Sequence, residues 1–308
     1  MKMFFRNLSF FLGILLIPLI IFSSYIYHSN SKLAAKYTIG YSTKTIIIGD
    51  SHTQKAINDR YFPGSINLSQ SSECYIYSFS KLQEILKSNP HVETVLLGCS
   101  YHSFSSYYDE FIFGKYSSEI SSRYFFIMPG NMKLQFLYKN QDHISLYFQN
   151  IMLQGINNMA VPSGKYSFLG CYETYRTNIK LTRATASKRV NTHYFKNGEM
   201  DGFSTSNIYY LKKIVDLCEE RHIDLFLLNT PMHEYYTDMV PGKFKNKFYS
   251  LVNSNKLKLI EFEKLHLADS CFLPDGDHVT ENGARLTTLF LVDYLKNAKP
   301  KHMEGAVE

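Results

Sequence analysis

Tryptophan is absent from this chain of 308 residues, and cysteine and charge are sparse. The five cysteines, Cys74, Cys99, Cys171, Cys218 and Cys271, are widely spaced and odd in number. They show no Cys-x-x-Cys or related metal-ligand spacing and no disulfide framework. Cys99 and Cys218 fall among apolar neighbours, where a free thiol behaves as a small hydrophobe. Charged residues make up 19% of the chain and the net charge is only +6. No nucleic-acid module and no internal repeat is visible. The local basic cluster Arg176, Lys180, Arg183, Lys188 and Arg189 could meet an anionic polymer, but it reads more simply as a solvated face.

What is present is apolar and aromatic. Hydrophobic residues reach 45%, with 24 tyrosines and 23 phenylalanines. Such a chain can bury a sizeable core, and many tyrosines should be core or rim residues. The length suits one large α/β domain with an insertion, or two small domains. After Lys2 and Arg6, Leu8 to Tyr27 gives about 20 uncharged residues, long enough to cross a bilayer. Pro18 is tolerable in a membrane helix. A cleavable signal peptide is the rival reading, but its apolar core would be shorter and end in small residues. Tyr25-Ile26-Tyr27 instead extends the segment with aromatics that suit a membrane interface. Residues 1–28 therefore read as an uncleaved anchor and 29–43 as a polar connector.

From residue 44 the pattern alternates. Strands are expected at Thr45–Ile48, Ser65–Leu68 and Val92–Gly98, with helices at Ser51–Asn58 and Tyr75–Lys87 between them. This rhythm implies a parallel sheet with right-handed crossovers. From Ser103 to about Ser204 it stops, and roughly 100 residues intervene, far more than an ordinary connection. Met132 to Met152 reads as a helix within this insertion. The insertion could cap an active site or pack beside the sheet. The alternation resumes with a helix at Ser206–Arg221, a strand at Asp224–Asn229, a helix at Lys243–Asn255 and a strand at Lys258–Phe262. A closing helix from Glu281 to Ala298 completes a domain spanning 44–298, and residues 299–308 should fray.

Two motifs carry the chemistry. Gly49-Asp50-Ser51-His52 follows the β-branched run Thr45-Ile46-Ile47-Ile48, so Ser51 stands at the carboxyl end of a buried strand, where open α/β sheets bind ligands. Backbone N–H groups at the start of the next helix favour a developing oxyanion there. Asp275-Gly276-Asp277-His278 stands before the closing helix. A serine hydroxyl needs a base to become a nucleophile, and His278 can be that base. Asp275 can accept its other ring N–H; Asp277 is the rival, though a residue adjacent to a histidine reaches its ring less easily. Helix capping at Ser51 and a polar turn at 274–277 are the plainer alternatives. Asp50, His52, His102 and His278 would suit zinc by residue type. The spacing does not require a metal and leaves the serine without a purpose, so neither metal nor cofactor is expected.

A strand ending in Gly-Asp-Ser near the start, with Asp-x-x-His before the last helix, resembles the SGNH (GDSL-type) hydrolase superfamily. The resemblance runs from about Thr45 to the helix after His278. The Gly-Asp-Ser-His form, the membrane segment and Thr230-Pro231-Met232-His233 after a strand are similar to one branch. That branch holds the D-alanyl-transfer protein of lipoteichoic acid synthesis and the alginate and peptidoglycan O-acetyltransferases. The resemblance implies a flavodoxin-like α/β sandwich with Ser51 as nucleophile, His278 as base and Asp275 as its partner. It also implies a domain outside the cytoplasmic membrane, working on an acylated glycan or acyl donor beside a multi-spanning membrane acyltransferase. The chain departs from the pattern at the oxyanion hole. No glycine follows the second strand, where Ser69-Gln70-Ser71-Ser72 stands, and no asparagine follows the third, where Cys99-Ser100-Tyr101-His102 stands. Loop N–H groups from Ser69 to Ser71, including Gln70, and the side chains of Ser100 or Tyr101 are the candidate replacements. His233 could touch substrate. The expectation is a membrane-anchored serine esterase or O-acyltransferase of a cell-envelope or secreted glycan, or else a non-catalytic scaffold on the same fold.

Overall fold

The computed structural model describes residues 1–33, 37–161, 165–262 and 264–298, so the expected fraying tail lies outside the described residues. Helix α1 (Lys2–Asn30) is 29 residues long, with a mean hydropathy of 2.2 in its apolar stretch. At 1.5 Å per residue it is about 44 Å long, enough to cross a bilayer. The alternating unit then begins: β1 (Thr45–Ile48), α2 (Ser51–Ala56), β2 (Ser65–Asn67), α3 (Tyr75–Ser88) and β3 (Thr94–Gly98). Next come α4 (Ser117–Tyr124), α5 (Gly130–Lys139), α6 (Ile144–Ala160), α7 (Arg183–Tyr194) and a hairpin of β4 (Phe195–Lys196) and β5 (Glu199–Met200). The chain closes with α8 (Thr205–Glu220), β6 (Asp224–Asn229), α9 (Glu234–Thr237), α10 (Gly242–Ser254), β7 (Lys258–Glu261) and α11 (Glu281–Ala298).

Five strands form one parallel sheet in the order β2-β1-β3-β6-β7. Counted within the sheet this is 2-1-3-4-5, the flavodoxin-like doubly wound order, whose switch point lies between β1 and β3. The two-residue period of a strand divides the core. Ile46 and Ile48 of β1, with Val95, Leu97 and Leu227, pack towards α3, α8 and α10. Ile47, with Leu96, Leu228 and Ile260, packs towards Ala56, Ala284 and Leu291 of α2 and α11. The sheet is therefore covered on both faces, which is why the central strands β1, β3 and β6 are built on apolar runs, whereas the edge strands β2 and β7 are mixed. The α/β class and the apolar N-terminal helix expected from the sequence are both present.

Three local expectations need correction. The single helix expected over Met132–Met152 is two helices, α5 and α6, interrupted at Gln141–His143. Asn140 ends the first by donating its side-chain amide back to Phe136 O at 2.9 Å and accepting a hydrogen bond from Ser117 Oγ at 2.7 Å. The third strand starts at Thr94, because Val92 N–H closes a turn onto Asn89 O. Within the basic face expected to be solvated, Arg189 is the exception: it lies on α7 and turns inward to a buried carboxylate.

Candidate active site

The site is assembled where β1 ends. Gly49 has φ of +147°, a conformation that favours glycine. A Cβ on Gly49 or Gly98 would lie 2.8 or 1.8 Å from Thr53 Oγ1, so the two glycines let α2 sit directly on the ends of β1 and β3. Asp50 caps α2, accepting His52 N–H at 2.9 Å on Oδ1. Ser51 is the first helical residue and half-buried. The second part is the turn before α11. Leu273 N–H donates to His278 O at 2.9 Å, Gly276 turns with φ of +74°, and Thr280 N–H donates to Cys271 O at 2.8 Å.

These two segments, more than 200 residues apart in sequence, meet. His278 Nε2 lies 2.9 Å from Ser51 Oγ, and His278 Nδ1 lies 2.8 Å from Asp275 Oδ2. A carboxylate can only accept, so Nδ1 carries the hydrogen and Nε2 offers its lone pair to the serine O–H. Asp277 Oδ1 is 3.2 Å from the same Nδ1 but makes no hydrogen bond there, since the N–H points at Asp275. Asp277 is engaged elsewhere: its Oδ2 accepts from His52 Nε2 at 2.9 Å and from Arg189 Nε at 2.7 Å.

Behind the triad-like chain lies a buried polar network. Four imidazoles stack in sequence: His278 on His52 at 4.5 Å between ring centres, His52 on His102 at 3.8 Å, and His102 on His193 at 5.0 Å. His52 Nδ1 is 3.2 Å from Asp50 Oδ1 while its Nε2 faces Asp277, so both nitrogens are donors and the ring is an imidazolium. Burial by itself would push the His52 pKa down, but Asp50 and Asp277 on either side more than offset this and raise it to about 9. Burial would raise Asp50, yet His52 and His102 hold it well below the usual carboxylate range. Burial opposes ionisation of Asp277 too, yet Arg189, His278 and His52 hold it well down. His102 donates Nε2–H to Asp50 Oδ2 at 3.0 Å. Burial and the neighbouring His52 cation keep it neutral, with its pKa lowered to about 4. His193 is pushed well below its ordinary value by burial and Arg189, and its Nδ1 meets Tyr236 OH at 2.6 Å. Tyr108 OH closes the network on Asp50 Oδ2.

Two donor sets, Asp50–His52–His102 and His52–Asp277–His278, are tight enough to hold a metal ion. Their hydrogen bonding opposes it. Both His52 nitrogens face carboxylates as N–H donors, so an ion at either set would have to displace a proton from this ring.

The remaining candidates lie around this centre in other roles. Ser69 N–H donates to Asn67 Oδ1 at 2.9 Å, and Gln70 N–H to Gly49 O at 2.9 Å. Gln70 Oε1 accepts from Tyr124 OH at 3.0 Å. Ser100 N–H donates to Ser103 Oγ at 3.0 Å, and Tyr101 OH turns away to Tyr249 OH at 3.1 Å. His233 caps α9 through Nδ1, and its N–H holds Gly276 O at 2.7 Å, tying the His278 turn in place. The N–H of Ser51 itself, at the first helical residue, has no intrahelical acceptor. Beside the turn runs a cleft of about 760 Å³ lined by Tyr175, Lys180, Leu273 and Thr280, among others. A smaller cavity of about 350 Å³ lies at the ends of β6 and β7. Neither is lined by Ser51 or His278. Sequence reading missed the inward roles of Arg189 and His193, which sit on a largely polar helix with no motif of its own.

No family model matches the chain, and no curated protein matches it. Among solved structures it is similar to a platelet activating factor from Streptococcus pneumonia (13% identity, TM-score 0.41, covering 93% of this chain and 99% of that one). It is similar to a GDSL-like lipase from Bacteroides thetaiotaomicron (9% identity, TM-score 0.40, 88% and 98%). An acylhydrolase from Bacteroides fragilis is a third such structure (10% identity, TM-score 0.37, 88% and 93%). At these scores the likenesses carry no weight for the activity.

Proposed function

We propose that this chain is a membrane-anchored serine esterase or O-acyltransferase acting on acyl groups of a cell-envelope or secreted glycan. The observation that carries the reading is the continuous contact from Ser51 Oγ through the His278 ring to Asp275, at 2.9 and 2.8 Å. His278 Nε2 takes the hydroxyl proton as Ser51 Oγ attacks the acyl carbonyl. Asp275 holds the Nδ1–H and balances the imidazolium that forms. The Ser51 N–H at the helix start faces the developing oxyanion. His278 returns the proton to the leaving alcohol, and an acyl-serine remains. Water then gives a free acid, and a sugar hydroxyl gives a transferred ester, with His278 again the base. The apolar helix α1 supports the anchor, and the sequence resemblance supports the glycan, the acyl donor and a multi-spanning membrane acyltransferase as partner.

Ser51→Ala is expected to abolish covalent labelling by a serine-reactive fluorophosphonate and to lower aryl-acetate turnover by about 10³-fold or more. Unchanged labelling removes Ser51 from the reaction. A scaffold role on the same fold is the second reading, favoured by the internal commitment of the Ser69, Gln70 and Ser100 N–H groups. Turnover that disappears in His278→Ala rules that role out.

A further inference from the structure

Helix α6 carries no charged residue in its 17 positions. One stripe, Tyr147, Ile151, Gly155 and Asn158, is buried where the helix packs against α4 and α1. The opposite side is largely apolar as well. Leu146, Phe148, Leu153, Ile156 and Met159 are each between 41% and 51% exposed. Single exposed apolar residues are ordinary, but five on the outward side of an uncharged helix, interspersed with the polar Ser145, Gln149 and Asn157, mark a covered surface. The preceding helix α5 adds Leu134 and Tyr138, more exposed still.

What covers this face follows from where α6 is attached. Residues Leu8 to Tyr25 of α1 are largely exposed, and burial begins only at its last turns, with Ile26 and Asn30. Those turns dock on α6. Asn30 Nδ2 donates to Gly155 O at 3.0 Å, and Asn158 Nδ2 donates to Asn30 Oδ1 at 3.0 Å. A Cβ on Gly155 would lie 2.3 Å from Ile26 Cγ2, so glycine is what lets the two helices touch. Starting beyond Arg6, about 20 residues of α1 fill a hydrocarbon layer of about 30 Å and bring the chain out near Tyr25 to Tyr27. The α1–α6 contact therefore falls at the membrane boundary. Lys133 Nζ, 3.2 Å from Tyr27 OH, stands at the level of lipid phosphates.

We propose that the outward face of α6, formed by Leu146, Phe148, Leu153, Ile156 and Met159, lies in the lipid surface beside α1 as a second, monotopic membrane contact. This contact presupposes the membrane anchor proposed above. The continuity of the face with α1 and the lysine over the Tyr27 ring favour lipid as the occupant over a second protein. Two contacts in place of one fix how the α/β domain stands on the membrane, where a lone anchor would let it swivel.

The absence of tryptophan supplies the test, because one introduced indole reports only its own surroundings. The full-length chain is reconstituted in phosphatidylethanolamine–phosphatidylglycerol vesicles carrying brominated acyl chains. Four variants are compared: Leu153→Trp and Phe148→Trp on α6, Ile17→Trp in α1 and Tyr209→Trp on α8. Unchanged thermal unfolding midpoints establish that each is folded. Bromolipid is expected to quench the indoles at 17, 148 and 153 by about twofold or more and to leave that at 209 unchanged. Quenching at 17 without quenching at 148 and 153 overturns the α6 contact and leaves the anchor standing. No quenching at 17 overturns the anchor, and the α6 proposal with it. A blue-shifted emission at 153 that bromolipid does not quench shows a protein partner or second copy on this face, which also overturns it.

Discussion

The two aspartates flanking Gly276 have separate tasks. Asp275 takes the His278 Nδ1–H, whereas Asp277 neutralises His52 and Arg189 in the interior. Asp275→Asn is therefore expected to lower kcat by about 10³- to 10⁴-fold with little change in unfolding midpoint. Asp277→Asn is expected to cost about 3–5 kcal/mol of stability, because it takes the carboxylate from Arg189 and one of the two that flank His52. Chemical denaturation of the two variants beside turnover separates these effects. The His52 cation gives a pH signature as well. Its folded pKa of about 9 lies above its unfolded value of about 6.5, so its stabilisation is complete below 6.5 and is lost as pH rises through 9. The loss is on the order of 3 kcal/mol. Asp50 and Asp277 act on the acid side: their folded pKa values are depressed, so their contribution is present above about 4 and fades as pH falls through those lowered values. Unfolding midpoints scanned from about pH 4 to 10 should fall on the alkaline side, and the fall should be much smaller in His52→Gln.

Among the helices and turns, α2 and the segment before α11 do the positioning: α2 depends on Gly49 and Gly98 at a close approach, and the turn depends on Gly276 at positive φ. Gly98→Ala drives a methyl into Thr53 Oγ1, so α2 must lift off the sheet and carry Ser51 with it. Turnover and fluorophosphonate labelling should both drop by about 10²-fold, and Gly98→Ala combined with Thr53→Ala should recover much of the loss. A Gly98→Ala protein with unchanged labelling would falsify this account of how Ser51 is placed. The strands were legible from Thr45-Ile46-Ile47-Ile48 and its counterparts because burial on both faces demands continuous apolar runs. Helix α7 was not legible. Its sequence is mostly polar, with only Ala186, Val190, His193 and Tyr194 buried, so no apolar stripe announces that Arg189 and His193 point inward. The break between α5 and α6 was also hidden, since it depends on Asn140 pairing with Ser117, a residue of another helix.

Across the entire domain, the sheet order decides what can meet. Asp50 and Ser51 leave β1 on one side of the switch point and His102 follows β3 on the other, so His102 can reach Asp50 across the crevice. The thiols test the packing as a unit. Cys171 is exposed, while Cys74, Cys99, Cys218 and Cys271 are buried. A chromogenic disulfide reagent should titrate one thiol in the native protein and four more on denaturation. A native count well above one means that the core is open in solution.

The linear order of residues was enough for the local facts: an apolar helix at the amino end, the buried strands, the glycine turn before Ser51, and the Asp275–His278 spacing that lets one side chain reach the other's ring. These follow from periodicity and from residues three apart, which a chain reveals without being folded. Folding alone settled that Ser51 and His278 touch, that Asp277 belongs to His52 and Arg189, and that three further imidazoles stack in sequence beneath His278. The charges and rings of this network come from α2, α7, the segment after β3 and the turn before α11. Their interaction depends on distance in space and on removal from water, and neither quantity is encoded in any one stretch of the chain.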